Sequence, residues 1–189
     1  VRELEAPTGF ALDPTIYTVP IRPNQDNSYH VTDEPVMDPN NVLLKKVTAD
    51  GQEYLGEHLS LAMAEYQFDY YAGYYDTVEQ ARASSDPTRS WVLRTNNNGY
   101  TGVRYADKTF THDGVEYPYL VNGEVYRASS GKPSMPLGTL VIHETNPPFG
   151  YKVSSSIFIA QLKQADNEFG YEWAFGGEGF ADGNVALDK

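Results

Sequence analysis

Residues 137–151 read LGTLVIHETNPPFGY, an alternating apolar run that carries one carboxylate forward and then stops at two prolines. Side chains on a strand alternate between faces, so Leu140, Ile142 and Glu144 share one side while Thr139, Val141 and His143 share the other. One acid is thus lined up with two core residues. A glutamate after an apolar run can also sit at a fraying strand end and reach solvent, so the rest of the chain has to decide between the two placements.

A second copy of the device bears on that choice. Residues 3–10, ELEAPTGF, lie in register with residues 144–151, ETNPPFGY, and share the pattern E-x-x-[AP]-P-x-G-[FY]. Glycine after the proline supplies backbone freedom, and the aromatic that follows can fold back onto the core. The same strand-end device at two places in the chain argues for tandem domains of one kind. On these residues the sequence resembles the Cna-B (SpaA-like) repeat domains of Gram-positive surface adhesins and pilins, whose E-box reads ETxAPxGY. The resemblance implies an all-β, immunoglobulin-like or prealbumin-like β-sandwich, here with a short helical insertion.

Composition agrees with a β-rich surface protein. Fifteen Tyr, 16 Gly and 12 Pro accompany few long helical periods. With 26 acidic against 14 Lys and Arg residues the net charge is −12, so nucleic acid and anionic membrane are poor partners. There is no cysteine, which excludes disulfides and thiolate metal sites. His30, His58, His112 and His143 are scattered, and His143-Glu144 lacks the second histidine of a zincin, so neither metal nor cofactor is expected. No signal peptide, membrane-spanning run or sorting tail is legible, and the chain reads as a piece of a longer protein.

Taken in order, residues 1–35 read as the C-terminal remnant of a preceding repeat. They hold a strand end, a strand at residues 16–21 (IYTVPI), a polar turn at 23–28 and a return strand. Two strands bury too little apolar surface to stand alone. Residues 36–41 read as a linker, because proline and asparagine break both strand and helix. Residues 42–189 then form a complete or near-complete domain with an insertion at about 72–135. Within it, residues 61–71 (LAMAEYQFDYY) alternate as a half-buried strand. Residues 77–85 suggest a short helix capped by Thr77, residues 90–95 another strand, and Asp113-Gly114 and Asn122-Gly123 two hairpin turns. Residues 156–162 (SIFIAQL) are a strongly apolar strand, residues 164–182 a Gly-, aromatic- and acid-rich loop, and residues 184–188 a last strand.

The first strand of the main domain, NVLLKKVTAD at residues 41–50, places Lys46 with Leu44 on one face and Lys45 with Leu43 on the other, and periodicity alone does not choose between them. The resemblance puts the reactive lysine of the family at Lys46, just before the acidic turn. It likewise puts the acid/base catalyst at Glu144 and the acceptor in the final strand, at Asp188 or alternatively Asn184. In the preceding repeat the corresponding residues are Glu3 and Asp33. Lys46 rather than Lys45 is then expected beside Glu144.

The chemistry implied is a self-catalysed amide bond. An amine and a carboxyl group condense when the amine is neutral and the carbonyl polarised, and burial disfavours the charged form of each. A neutral carboxylic acid held beside them can move the proton, and the fold supplies the high effective concentration. The resemblance therefore implies a structural stalk or shaft domain of a cell-surface adhesin or pilin rather than an enzyme. Its partners would be other subunits or a host surface ligand, and its location extracellular, sortase-linked to the cell wall. Two other readings rest on residues 171–180, YEWAFGGEGF, and on nearby aromatics. One is a glycosidase using Glu172 and Glu178. The other is a glycan- or protein-binding module using Tyr74, Tyr75 and Trp173.

Overall fold

The computed structural model of the chain describes residues 1–25, 27–38, 43–46, 60–167 and 170–178. In chain order the elements are β1 (Met37–Asp38), β2 (Leu43–Lys45), β3 (Glu65–Tyr71), α1 (Val78–Ser84), β4 (Arg89–Arg94), β5 (Tyr100–Gly102), β6 (Thr109–His112), β7 (Val115–Pro118), β8 (Leu120–Gly123), β9 (Met135–Pro136), β10 (Gly138–Asn146), β11 (Ile157–Gln164) and β12 (Tyr171–Glu178). The fold is all-β and its strand pairs are antiparallel, with one short α-helix.

Six strands form the main sheet in the order β12-β11-β10-β3-β4-β8, while β1-β9, β2-β5 and β6-β7 make two-stranded pairs. The alternation of β3 explains its place. Tyr66, Phe68 and Tyr70 point to one face and are buried, and Gln67 and Asp69 point to the other. In register across the sheet, Phe158, Ile142, Phe68 and Trp91 form one row on that face, with the Phe68 and Trp91 rings stacked at 5.9 Å. Val103, Val125, Met135 and the half-buried Leu44 cover this row from the opposite layer. Each large apolar side chain buried this way contributes about 1.5–3 kcal/mol. The back of the sheet is covered more thinly, where Ala81 of α1 packs on Tyr71 and Val141. Helix α1 starts at Thr77, whose hydroxyl accepts from the Gln80 N–H while Gln80 accepts from the Thr77 N–H. The reciprocal partner is thus Gln80 rather than the first-turn acid.

Four sequence expectations change. The loop expected at 164–182 contains β12, because Tyr171, Trp173 and Phe175 alternate and lay their rings against the core face despite the neighbouring glycines. Residues 36–41, expected as a linker, contribute β1, which pairs with β9. Asn122-Gly123 is not a hairpin turn. Gly123 ends β8 opposite Trp91, and a Cβ there would lie 2.3 Å from the Ser90 carbonyl oxygen. Residues 16–21 form no ladder like that of the main sheet, since the segment has only a short neighbouring strand end to pair with. The last strand expected at 184–188 lies outside the described residues.

Candidate functional site: a buried lysine–glutamate pair between the layers

Glu144 follows Leu140 and Ile142 on the inward face of β10 and stands opposite Tyr66 of β3. The pairing slips by one residue just beyond it, between Glu144 and Asn146, so the strand leaves the sheet as soon as the carboxylate has been delivered. Lys46 arrives from the opposite layer, one residue past β2. Leu44 packs against the core, while Lys45 is exposed with its ammonium 5.1 Å from the Tyr100 ring centroid.

The two charged groups meet at 2.5 Å, Lys46 Nζ to Glu144 Oε1, with side-chain exposures of 10% and 0%. The second carboxylate oxygen, Oε2, accepts the Ser154 backbone N–H at 2.6 Å. Tyr66 is the residue of β3 paired with Glu144. Burial first, and then the neighbouring Glu144 carboxylate, push the acidity of the Tyr66 phenol far down, its pKa well above the usual tyrosine value. A carboxylate whose two oxygens are each engaged, one by an ammonium group and one by a backbone N–H, meets the condition under which a buried ion pair is tolerated.

Gly99 sets the backbone of Lys46. The Lys46 N–H donates to the Gly99 carbonyl at 2.8 Å, Gly99 has φ +79°, and a Cβ there would fall 2.5 Å from the Lys46 carbonyl oxygen. The turn that begins at Asn96 therefore allows a close approach open only to glycine. Sequence reasoning missed Gly99, Tyr66 and Ser154. Tyr66 carried a signal, being a hydroxyl-bearing ring on the inward face of β3.

No family model matches the chain, and no curated protein matches it.

Of the other residues singled out from the sequence, Asp188, Asn184 and His58 lie outside the described residues. In the N-terminal copy the Glu3 carboxylate accepts the Asp13 N–H at 2.6 Å, and Asp33 is half-buried without a hydrogen bond to Glu3. Glu172 is exposed on β12, opposite Lys163, and the side chain of Glu178 lies outside the described residues. The aromatic contact surface is not continuous. Tyr74 is exposed, but Tyr75 sits edge-on to Tyr71, and Trp173 stacks on Phe175 against the core. His112 bonds the Asn97 side chain. Among the described residues no group of His, Asp and Glu could hold a metal ion, and no helix is long and apolar enough to cross a membrane.

Proposed function

We propose that the chain is a stalk or shaft module of a bacterial cell-surface adhesin or pilin, of the Cna-B type, and that Lys46 and Glu144 are two of the three groups of a self-formed amide cross-link. The observation that carries this reading is the Lys46–Glu144 pair, buried, 2.5 Å apart and joining the two layers of the sandwich. An ion pair so enclosed adds little net stability over well-packed apolar residues, so its presence calls for a chemical use.

The use follows from the groups. Passing the shared proton from Nζ to Oε1 leaves a neutral amine beside a neutral acid. The amine then attacks the side-chain carbonyl carbon of Asp188 or Asn184. Glu144 donates its proton to the departing oxygen or nitrogen and takes one from the new amide nitrogen, so that water or ammonia leaves and the carboxyl group is restored. The Ser154 N–H holds the carboxyl group in place throughout. The event is a single turnover and makes the protein a cross-linked scaffold, not an enzyme. Closing a loop of about 140 residues would stabilise the fold by about 4–5 kcal/mol on the loop-entropy estimate. In a cysteine-free chain it takes the place of a disulfide. The setting is extracellular, with linkage to the cell wall and to neighbouring subunits.

Intact mass tests the reading. The folded chain should fall short of its sequence mass by about 18 Da if Asp188 is the acceptor or about 17 Da if Asn184 is, from the stoichiometry of amide formation. Glu144→Ala and Lys46→Met should each restore the full mass. Full mass in the unmutated chain would reject the cross-link, and a deficit that survives Glu144→Ala would move the catalyst elsewhere.

A further inference from the structure

Strand β2 leads to Lys46, yet among the described residues it shares no ladder with the six-stranded sheet that bears Glu144. It pairs with β5. Leu43, Leu44 and Lys45 stand opposite Gly102, Thr101 and Tyr100, and Lys46, one residue past that ladder, donates its N–H to the Gly99 carbonyl at 2.8 Å. All of these partners lie within the segment expected as an insertion, at about 72–135. The backbone of the lysine is therefore fixed by residues 99–102 and not by the strand that carries the acid.

Two asparagines hold the turn that ends at Gly99. Asn96 Oδ1 accepts the N–H groups of Asn98 and Tyr100, each at 3.0 Å, and the Asn96 carbonyl accepts the Gly99 N–H at 2.9 Å. The same side chain donates from Nδ2 to the Tyr119 hydroxyl at 2.9 Å. That ring is a fixed anchor, 5% exposed and packed on Tyr105 and Phe110 with centroids 4.9 Å from each. Asn97 reaches farther, to the β6–β7 hairpin, where its Nδ2 donates to the Thr111 carbonyl at 2.8 Å and its Oδ1 meets His112 Nδ1 at 2.8 Å. Reversing the chain needs only the local bonds of Asn96 and the glycine. The bonds to Tyr119 and to the hairpin do something more, since they stop the turn from shifting as a unit.

We propose that Asn96 and Asn97 are positioning residues for Lys46, and that the β6–β7 hairpin and Tyr119 are the frame against which they hold it. The role rests on the reading of Lys46 as the attacking amine. Such an amine has to touch both its proton carrier and the carbonyl it attacks, and a displacement of about 1 Å slows a step of this kind about a hundredfold. Glu144 is set by its own strand and by the Ser154 N–H. Lys46 is set by the Gly99 carbonyl, so any movement of the turn carries the lysine backbone with it. The placement of one group on the other thus depends on the insertion, which explains why a hairpin that pairs with no other strand among the described residues is tied to this turn.

The test uses the full chain with two readouts, amide hydrogen exchange by NMR and intact mass followed over time in chains freshly made by cell-free synthesis. Asn97→Ala removes both bonds to the hairpin from an exposed position, and Asn96→Ala removes those to Asn98, Tyr100 and Tyr119. In each, the Lys46 N–H should exchange about tenfold faster, as loss of one or two hydrogen bonds predicts, while the amides of β10 and β11 keep their rates. The mass deficit should appear about tenfold more slowly or less. Asn96→Asp should restore both readouts, because one carboxylate oxygen still accepts the two N–H groups and the other accepts from the Tyr119 hydroxyl. Thr109→Ala, which removes the Thr109–Glu116 bond inside the hairpin and touches neither asparagine, should change nothing. The proposal is overturned if Lys46 exchange moves only together with β10 and β11, if cross-linking is indifferent to the alanine variants, or if Thr109→Ala does the same as they do. Full mass in the unmutated chain would reject the cross-link alone, and the exchange of Lys46 would still decide whether Asn96 and Asn97 place it.

Discussion

Replacing Lys46 by methionine keeps most of the side-chain volume and removes the charge, leaving the Glu144 carboxylate, whose side chain has no exposed surface, without its cation. Removing one partner of a buried pair costs about 3–5 kcal/mol, because the remaining charge stays desolvated. For a chain of this size each kcal/mol shifts the melting temperature by about 2–4 °C, so a fall of roughly 6–20 °C is expected from the pair alone. If the cross-link forms in the unmutated protein, its loss adds the loop term of about 4–5 kcal/mol. Urea denaturation run beside intact-mass measurement separates the two contributions. The double variant Lys46→Met with Glu144→Leu should recover the desolvation part but not the loop part, since apolar replacement of both partners leaves no orphaned charge. A loss below about 1 kcal/mol in Lys46→Met would refute the reasoning, because that is the behaviour of a solvent-screened surface pair.

Two further outcomes follow from the same site. Burial and the Glu144 charge raise the folded-state pKa of Tyr66, and burial also raises that of Tyr70. Their stabilising effect is therefore complete below the unfolded tyrosine value near 10 and is lost as pH rises above it. Alkaline unfolding followed by tyrosine absorbance should begin above about pH 10. In Tyr66→Phe its slope should be shallower by about 1.4 kcal/mol per pH unit, the share of one proton. Gly99→Ala should lower stability by about 1–3 kcal/mol, through the positive φ and the contact with the Lys46 carbonyl, and it should change the amide shift of Lys46.

Particular residues show how far the sequence carries. The run 137–151 is legible because β10 is long, apolar on both faces and ended by prolines, so its alternation points Glu144 inward. The facing of Lys46 is not legible in the alternation, because Leu43 stands to Lys45 as Leu44 stands to Lys46, and only the resemblance pointed to Lys46. Residues 171–178 are misread because alternation of Tyr171, Trp173 and Phe175 competes with Gly176, Gly177 and two glutamates, which are turn and loop signals by composition. The two-residue strands β1 and β9 are too short to leave any period, and only tertiary packing makes them. Ser154 acts through its backbone N–H, which nearly every residue type carries, so no side-chain pattern announces it, and Gly99 reads in the sequence only as a turn glycine. The repeat at residues 3–10 announces the turn, but the matching N–H ten residues on, at Asp13 and Ser154, appears only in three dimensions.

The order of the main sheet also fixes a sequence of events in folding. Strands β10, β11 and β12 are successive and joined by short connections, so they can assemble locally. The contact of β10 with β3 instead closes a span of at least 68 residues, from Tyr71 to Thr139. Lys46 and Glu144 stand farther apart still, 98 residues along the chain, and meet only where the opposing layer has closed over the sheet. Loop-closure entropy delays such distant pairings until the nearer ones are in place. The amine thus reaches the carboxylate after the local strand pairings of β10, β11 and β12. A bond made there would be a time stamp, written only on chains that had already reached the native arrangement, and misfolded chains would carry no mark.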